Sequence, residues 1–175
     1  MRVIAGRFRS RRIKSLPGLA VRPTPDRLRE SLFSILAPRL EGATFLDAYA
    51  GSGSVGIEAL SRGAAHVTFI EQNSAALAIL RENLASLGIR DEARVLRGRA
   101  GTFLAKEDAE IVFLDPPYDA ADEYAASLEA LAQSNCSLVV AQHASRLSLA
   151  ESYGALKRTR VLKQGDNSLS FFERA

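Results

Sequence analysis

The sequence predicts a doubly wound α/β fold, with a mostly parallel seven-stranded sheet and an antiparallel C-terminal hairpin. Three observations predict it. Short apolar runs alternate with helical patterns along most of the chain, as in a parallel sheet covered by helices. The first run, 44–48, feeds a glycine-rich turn, Gly51-x-Gly53-x-x-Gly56, that opens a helix. A later run, Ile111-Val112-Phe113-Leu114, stops at Asp115-Pro116-Pro117-Tyr118. Two prolines cannot continue a strand, because neither donates a ladder hydrogen bond and both fix φ.

Residues 1–24 are expected as a basic hairpin and 25–175 as the main domain. In the hairpin, Val3-Ile4-Ala5 and Arg12-Ile13-Lys14 flank Gly6-Arg7-Phe8-Arg9-Ser10, with the basic side chains fanned outward. A helix follows over about 25–37, with Thr24 as N-cap and Pro25 at N1. Its apolar face is Leu28, Leu32, Phe33, Ile35 and Leu36. Then come strand 44–48, helix 54–62, strand 66–71, helix 74–86, strand 93–97, a short helix near 101–105 and strand 110–114. Helix 121–132 and strand 138–141 follow, and strands 156–163 and 168–173 close the chain. Only Gln164-Gly165-Asp166-Asn167 separates these last two, so they should pair antiparallel.

At 175 residues the chain is long enough to bury a sizeable core, and 47% apolar against 25% charged residues marks a globular domain. No apolar run approaches the roughly 18 residues of a membrane span. The basic N-terminus has no apolar stretch of a secretory signal behind it, so the cytoplasm is expected. One cysteine, Cys136, excludes an internal disulfide, and no Cys/His cluster suggests a metal. The net charge of +3 is unevenly placed. Arg2, Arg7, Arg9, Arg11, Arg12, Lys14 and Arg22 fall within residues 1–24, which hold no acidic residue. Arg7, Phe8, Arg9, Arg11, Arg12 and Arg22 are the candidate RNA contacts, combining phosphate charge with a stacking face. The bland reading of the same segment is a solvated basic tail.

The glycine turn has two readings. Its spacing is that of a dinucleotide-binding loop, and Glu71 lies at the end of the next strand, where an acidic residue meets a ribose. Asp47, beside the turn, opposes that reading, because a carboxylate there repels a pyrophosphate. S-adenosylmethionine carries a sulfonium and an ammonium instead, which Asp47 attracts. The expected cofactor is therefore S-adenosylmethionine. Its contacts are Asp47, Ala48, Tyr49, Gly51, Ser52 and Gly53 in the turn, with Glu71, Gln72 and Asn73 after the second strand. Gly53 is expected to leave the space that the ligand approaches.

Asp115, Pro116, Pro117 and Tyr118 are the expected catalytic corner, matching the Asp/Asn-Pro-Pro-Tyr/Phe motif of amino-group methyltransferases. An exocyclic amine is a poor nucleophile because its lone pair is delocalised into the ring. The Asp115 carboxylate and Pro116 carbonyl accept its N–H bonds, and Tyr118 stacks on the base.

Taken together the motifs resemble the bacterial 16S ribosomal RNA guanine-N2 methyltransferases of the RsmD type, nearly end to end. Arg2-Val3-Ile4-Ala5-Gly6 is similar to that family's opening, and Arg22-Pro23-Thr24 with Asp26-Arg27, Arg29-Glu30 and Leu32-Phe33 to its signature helix. Asp47 to Gly56, Glu58-Ala59-Leu60-Ser61-Arg62-Gly63-Ala64, Asp115 to Tyr118, and Gly165-Asp166 with Leu169-Ser170-Phe171 also match. The resemblance implies a class I, Rossmann-like methyltransferase. It implies a guanine of 16S rRNA as substrate, within a small-subunit particle, and a monomer without metal or membrane. Arg99, Gln142, Gln164 and Asn167 depart from the family pattern. An adenine-N6 methyltransferase of DNA or RNA shares the chemistry, and a protein-glutamine methyltransferase uses a related corner. A non-enzymatic RNA-binding module would need only the hairpin.

Overall fold

The computed structural model describes residues 1–17, 24–117 and 121–175. In chain order these form α1 (Asp26–Leu40), β1 (Thr44–Asp47), α2 (Ser54–Ser61), β2 (His66–Glu71), α3 (Ser74–Ser86), β3 (Ala93–Arg97) and α4 (Ala100–Phe103). Then come β4 (Ile111–Leu114), α5 (Ala121–Ala132), β5 (Leu138–Ala144), β6 (Ser152–Tyr153), β7 (Leu156–Gln164) and β8 (Asn167–Arg174). The strands lie in the order β3-β2-β1-β4-β5-β8-β7-β6. The five strands β1 to β5 pair parallel, while β8 joins β5 antiparallel and turns back into β7. This is the doubly wound architecture expected, with the two-residue β6 added as an eighth strand.

Alternation along each strand divides the core in two. Ile111 and Phe113 of β4 face one cluster, with Phe45, Val67, Leu138 and Phe171, under α1, α2 and α3. Val112 and Leu114 face the other, with Leu46, Val139 and Phe172, under α5. Such strands, covered on both sides, read as continuous apolar runs. Phe33 of α1 stacks on Phe45 at 6.4 Å between ring centroids. Val3 and Ile13 of the N-terminal segment lie in the same cluster as α1, so this segment shares the core of the main domain.

Several boundaries differ from expectation, and three of them have a cause in the packing. Helix α1 starts at Asp26, with Pro25 in the N-cap position, and Thr24 makes no cap. The Thr24 hydroxyl donates instead to Gln142 Oε1 at 3.0 Å. Helix α1 also runs on through Pro38 to Leu40, which packs into the core. Strand β5 continues to Ala144 rather than stopping at Ala141, because antiparallel β8 pairs along it as far as Asn167.

Candidate active site and its N-terminal arm

The strand order reverses between β1 and β4, and in open α/β sheets ligands bind beyond the C-terminal strand ends at that point. Asp47 ends β1, Asp115 follows β4, and Glu71 ends β2, so the three expected carboxylates share one sheet edge. Asp47 registers with Phe113, which places Asp115 two residues further along the adjoining strand.

Asp47 is 1% exposed and accepts the backbone N–H of Gly56 at 3.0 Å. Burial pushes its carboxyl up to about 7; the Gly56 bond partly opposes this, and the charge of Glu71 adds to it. Burial also raises Asp115 to about 7, with Asp47 as the second cause. Pro116 is buried and Pro117 exposed, so the corner turns from the core to the surface within two residues. Tyr118 and Arg22, both expected at functional sites, lie outside the described residues.

Glu71 fastens the glycine turn. One carboxylate oxygen accepts the N–H of Gly51 at 2.7 Å and the other that of Asn73 at 2.8 Å. Asn73 spends its side-chain oxygen capping α3 through Ala76 N, and Gln72 is exposed beside it. Ala48 and Ala50 are tied by their backbone N–H groups to Phe113 and Ile70. The Tyr49 hydroxyl meets Glu123 at 2.7 Å and Ser127 at 2.8 Å on α5. Gly51, at φ +56°, has open space where a Cβ would stand. Gly53 does not. A Cβ there would lie 2.3 Å from Leu80 Cδ1, at φ +90°, so the space expected for a ligand at Gly53 is filled by α3. Ser52 gives its carbonyl to Asn83 of α3.

A cavity of about 190 Å³ opens beside Asp115 and Pro116, lined also by Tyr124, Gln142, His143, Arg146 and Asn167. Leu114 registers with Ala141, so Asp115 and Gln142 come next on adjacent strands. Gln142 is held by Thr24, and His143 meets the Ser170 hydroxyl at 2.7 Å through Nε2. Burial lowers the His143 pKa, which favours the neutral ring. His143, Arg146 and Asn167 were not expected at the site, and the pairing of β5 with β4 and β8 brings them to the corner. Among the described residues no group of three or more His, Cys, Asp or Glu could hold a metal ion. None of their helices is long and apolar enough to cross a membrane. Cys136 is buried.

The N-terminal segment folds back as expected, around an antiparallel bridge between Arg2 and Arg12. Its basic side chains, Arg2, Arg7, Arg9, Arg11, Arg12 and Lys14, are exposed as expected, but several have partners. Arg7 pairs with Glu92, Lys14 with Glu82, and Arg2 and Arg11 donate to the carbonyls of Ser10 and Ser86. Arg7 also lies 4.5 Å over the Phe8 ring. Arg9 and Arg12 are exposed and make no ion pair among the described residues. The arm is docked by a residue the sequence did not single out as functional. Glu58 of α2, fully buried, accepts the N–H groups of Ile4 and Ala5 at 2.9 and 3.0 Å and pairs with Arg62. Arg29, also fully buried, donates to Arg2 O at 2.7 Å. Gly6 is pressed so closely on α2 that a Cβ would stand 1.8 Å from Ser61 O. A buried glutamate amid an apolar helix was the available signal.

The model of the family described as Conserved hypothetical protein 95 matches residues 1–173. This chain belongs to that family. It is 34% identical over 188 residues to YlbH of Bacillus subtilis (strain 168), a match covering 99% of each chain. It is 45% identical over 120 residues to the ribosomal RNA small subunit methyltransferase D of Escherichia coli (strain K12). That stretch covers 67% of this chain but only 60% of the relative. Among solved structures of the family's kind, yhhF of Escherichia coli superposes with a TM-score of 0.86 at 34% identity, over 99% of this chain and 97% of that one.

Proposed function

We propose that this protein transfers a methyl group from S-adenosylmethionine to the exocyclic N2 amine of one guanine in 16S ribosomal RNA. It does so in the cytoplasm, as a monomer acting on a small-subunit particle. The observation that carries the reading is the placement of Asp115 at the switch point, next to Asp47 and at the mouth of a base-sized cavity. The name of the Escherichia coli relative supports the RNA class.

The residues present suit this methyl donor. Asp47 and Glu71 bring two carboxylates to a turn that a pyrophosphate would find repulsive, and Gly51 leaves its near side open. The donor, when bound, supplies an electrophilic methyl on a sulfonium. Asp47 attracts the cationic groups, Glu71 offers its remaining lone pairs to hydroxyls, and the turn from Ala48 to Gly53 holds the backbone in place. Gln72 and Asn73 border the same space.

Asp115 accepts one N–H of the target amine, and the Pro116 carbonyl accepts the other. This turns the nitrogen lone pair toward the methyl group, so catalysis is mainly positioning and electrostatics. Asp115 then holds the proton released from nitrogen. Pro117 keeps the corner rigid and Tyr118 stacks on the base. Guanine presents N1–H beside its N2 amine, two donors that a carboxylate meets together. The Gln142 amide lies next in line for the remaining ring edge.

The test is nucleoside mass spectrometry of 16S rRNA from a strain lacking this gene, with and without the gene restored. Loss and return of one N2-methylguanosine is the expected result. Loss of an N6-methyladenosine would move the reading to adenine, and unchanged rRNA would overturn it.

A further inference from the structure

Strand β7, far from the N-terminal arm in sequence, carries Lys157, Arg158, Arg160 and Lys163 without an acidic residue. Strand β6 pairs only with Leu156 and Lys157, so beyond them no strand among the described residues covers the outer edge of β7. Lys157, Thr159, Arg160, Val161 and Lys163 are exposed there, Val161 at 49%. Arg160 and Lys163 make no ion pair among the described residues.

This edge leads to the catalytic corner. Gln164, the last residue of β7, registers with Asn167, which lines the cavity beside Asp115. Ser145 fastens the intervening turn, with its N–H on Asp166 O at 2.8 Å and its hydroxyl on Gly165 O at 2.9 Å. The next residue, Arg146, is exposed and lines the same cavity. Arg160 and Lys163, projecting to opposite faces of this open edge, and Arg146 beyond the turn that holds the exposed Asp166, thus place three basic side chains between the edge and the corner.

The tip of the N-terminal arm lies elsewhere. Arg7 pairs with Glu92, immediately before β3, at the N-terminal edge of the parallel strands and opposite Asp115. A strand that delivers a base to Asp115 also brings its flanking phosphates to the C-terminal edge, where they need counter-charge. We propose that the open edge of β7, through Arg160 and Lys163, is a phosphate-contacting surface for the RNA flanking the target base. The proposal rests on the RNA-methylating reading above. The bland alternative is that these charges only keep an exposed strand edge from pairing with other chains.

The test uses the full chain and unmodified transcribed small-subunit rRNA as the probe. RNA affinity is measured across a salt series for the wild type and for Arg160→Ala/Lys163→Ala. S-adenosylhomocysteine affinity by calorimetry and sedimentation of both proteins verify fold and oligomeric state. The double variant should lower the slope of log affinity against log salt by about 1.4, two contacts at about 0.7 each on single-stranded RNA. Methyl transfer at saturating RNA should stay near the wild-type rate while the RNA concentration needed rises. An unchanged slope, with or without new self-association, would overturn the proposal and leave the methylating reading standing. A wild type with no salt-dependent RNA binding would overturn both.

Discussion

Asp115 stands two residues beyond the register partner of Asp47 on the adjoining strand, and the charge of Asp47 adds to burial in raising it to about 7. Two carboxylates near neutrality, side by side at a switch point, make both binding and turnover depend on pH.

Methyl transfer should rise with pH through about 7, because only the ionised Asp115 accepts an amine N–H. S-adenosylmethionine affinity should rise over the same range as Asp47 loses its proton. The apo protein behaves oppositely. Both groups hold protons more tightly when folded, so their contribution to stability is complete below about pH 4 and lost as pH rises through 7. Calorimetry in buffers of different ionisation enthalpy should show proton release on binding; pH-independent affinity would remove Asp47 from the site.

Asp115→Ala should lower kcat by at least about a hundredfold while leaving S-adenosylhomocysteine affinity near wild type, as for a contact made in the transition state. Equal loss of both would make Asp115 structural. Single-turnover methylation and calorimetry separate the two.

Gly51→Ala and Gly53→Ala should fail differently. At Gly51 the new methyl meets open space and only φ +56° is strained, so about 1 kcal/mol of stability is lost while cofactor binding suffers. At Gly53 the methyl drives into Leu80, and stability should fall by about 2–3 kcal/mol more. Urea denaturation beside calorimetric titration reads both effects.

Glu58→Ala should cost about 3–5 kcal/mol, because it strands the N–H groups of Ile4 and Ala5, leaves Arg62 without its anion and removes one of the two negative charges, with Asp26, that offset the burial of Arg29. Glu58→Gln keeps an acceptor and should cost less. Proteolysis near Arg7 to Arg12 should accelerate in the alanine variant; an arm as protected as in wild type would show that Glu58 is not what docks it.

The alternation of strands and helices, the glycine turn and the Pro-Pro corner are written in the local sequence. Local chemistry decides these: an apolar run covered on both faces, φ > 0 in a tight turn, and a backbone that cannot go on donating. Asp47, Glu71 and Asp115 are therefore legible in the sequence as one sheet edge. What those residues touch depends on packing between distant parts of the chain. That a Cβ at Gly53 would meet Leu80 depends on where α3 packs, beyond β2 in the chain. That Thr24 bonds Gln142 instead of capping α1, and that Arg7 and Lys14 are neutralised by Glu92 and Glu82, depends on partners distant in sequence. The basic edge of β7 became a surface only once β6 proved too short to cover it. Local propensity acts over a few residues; pairing and burial are settled by the whole chain.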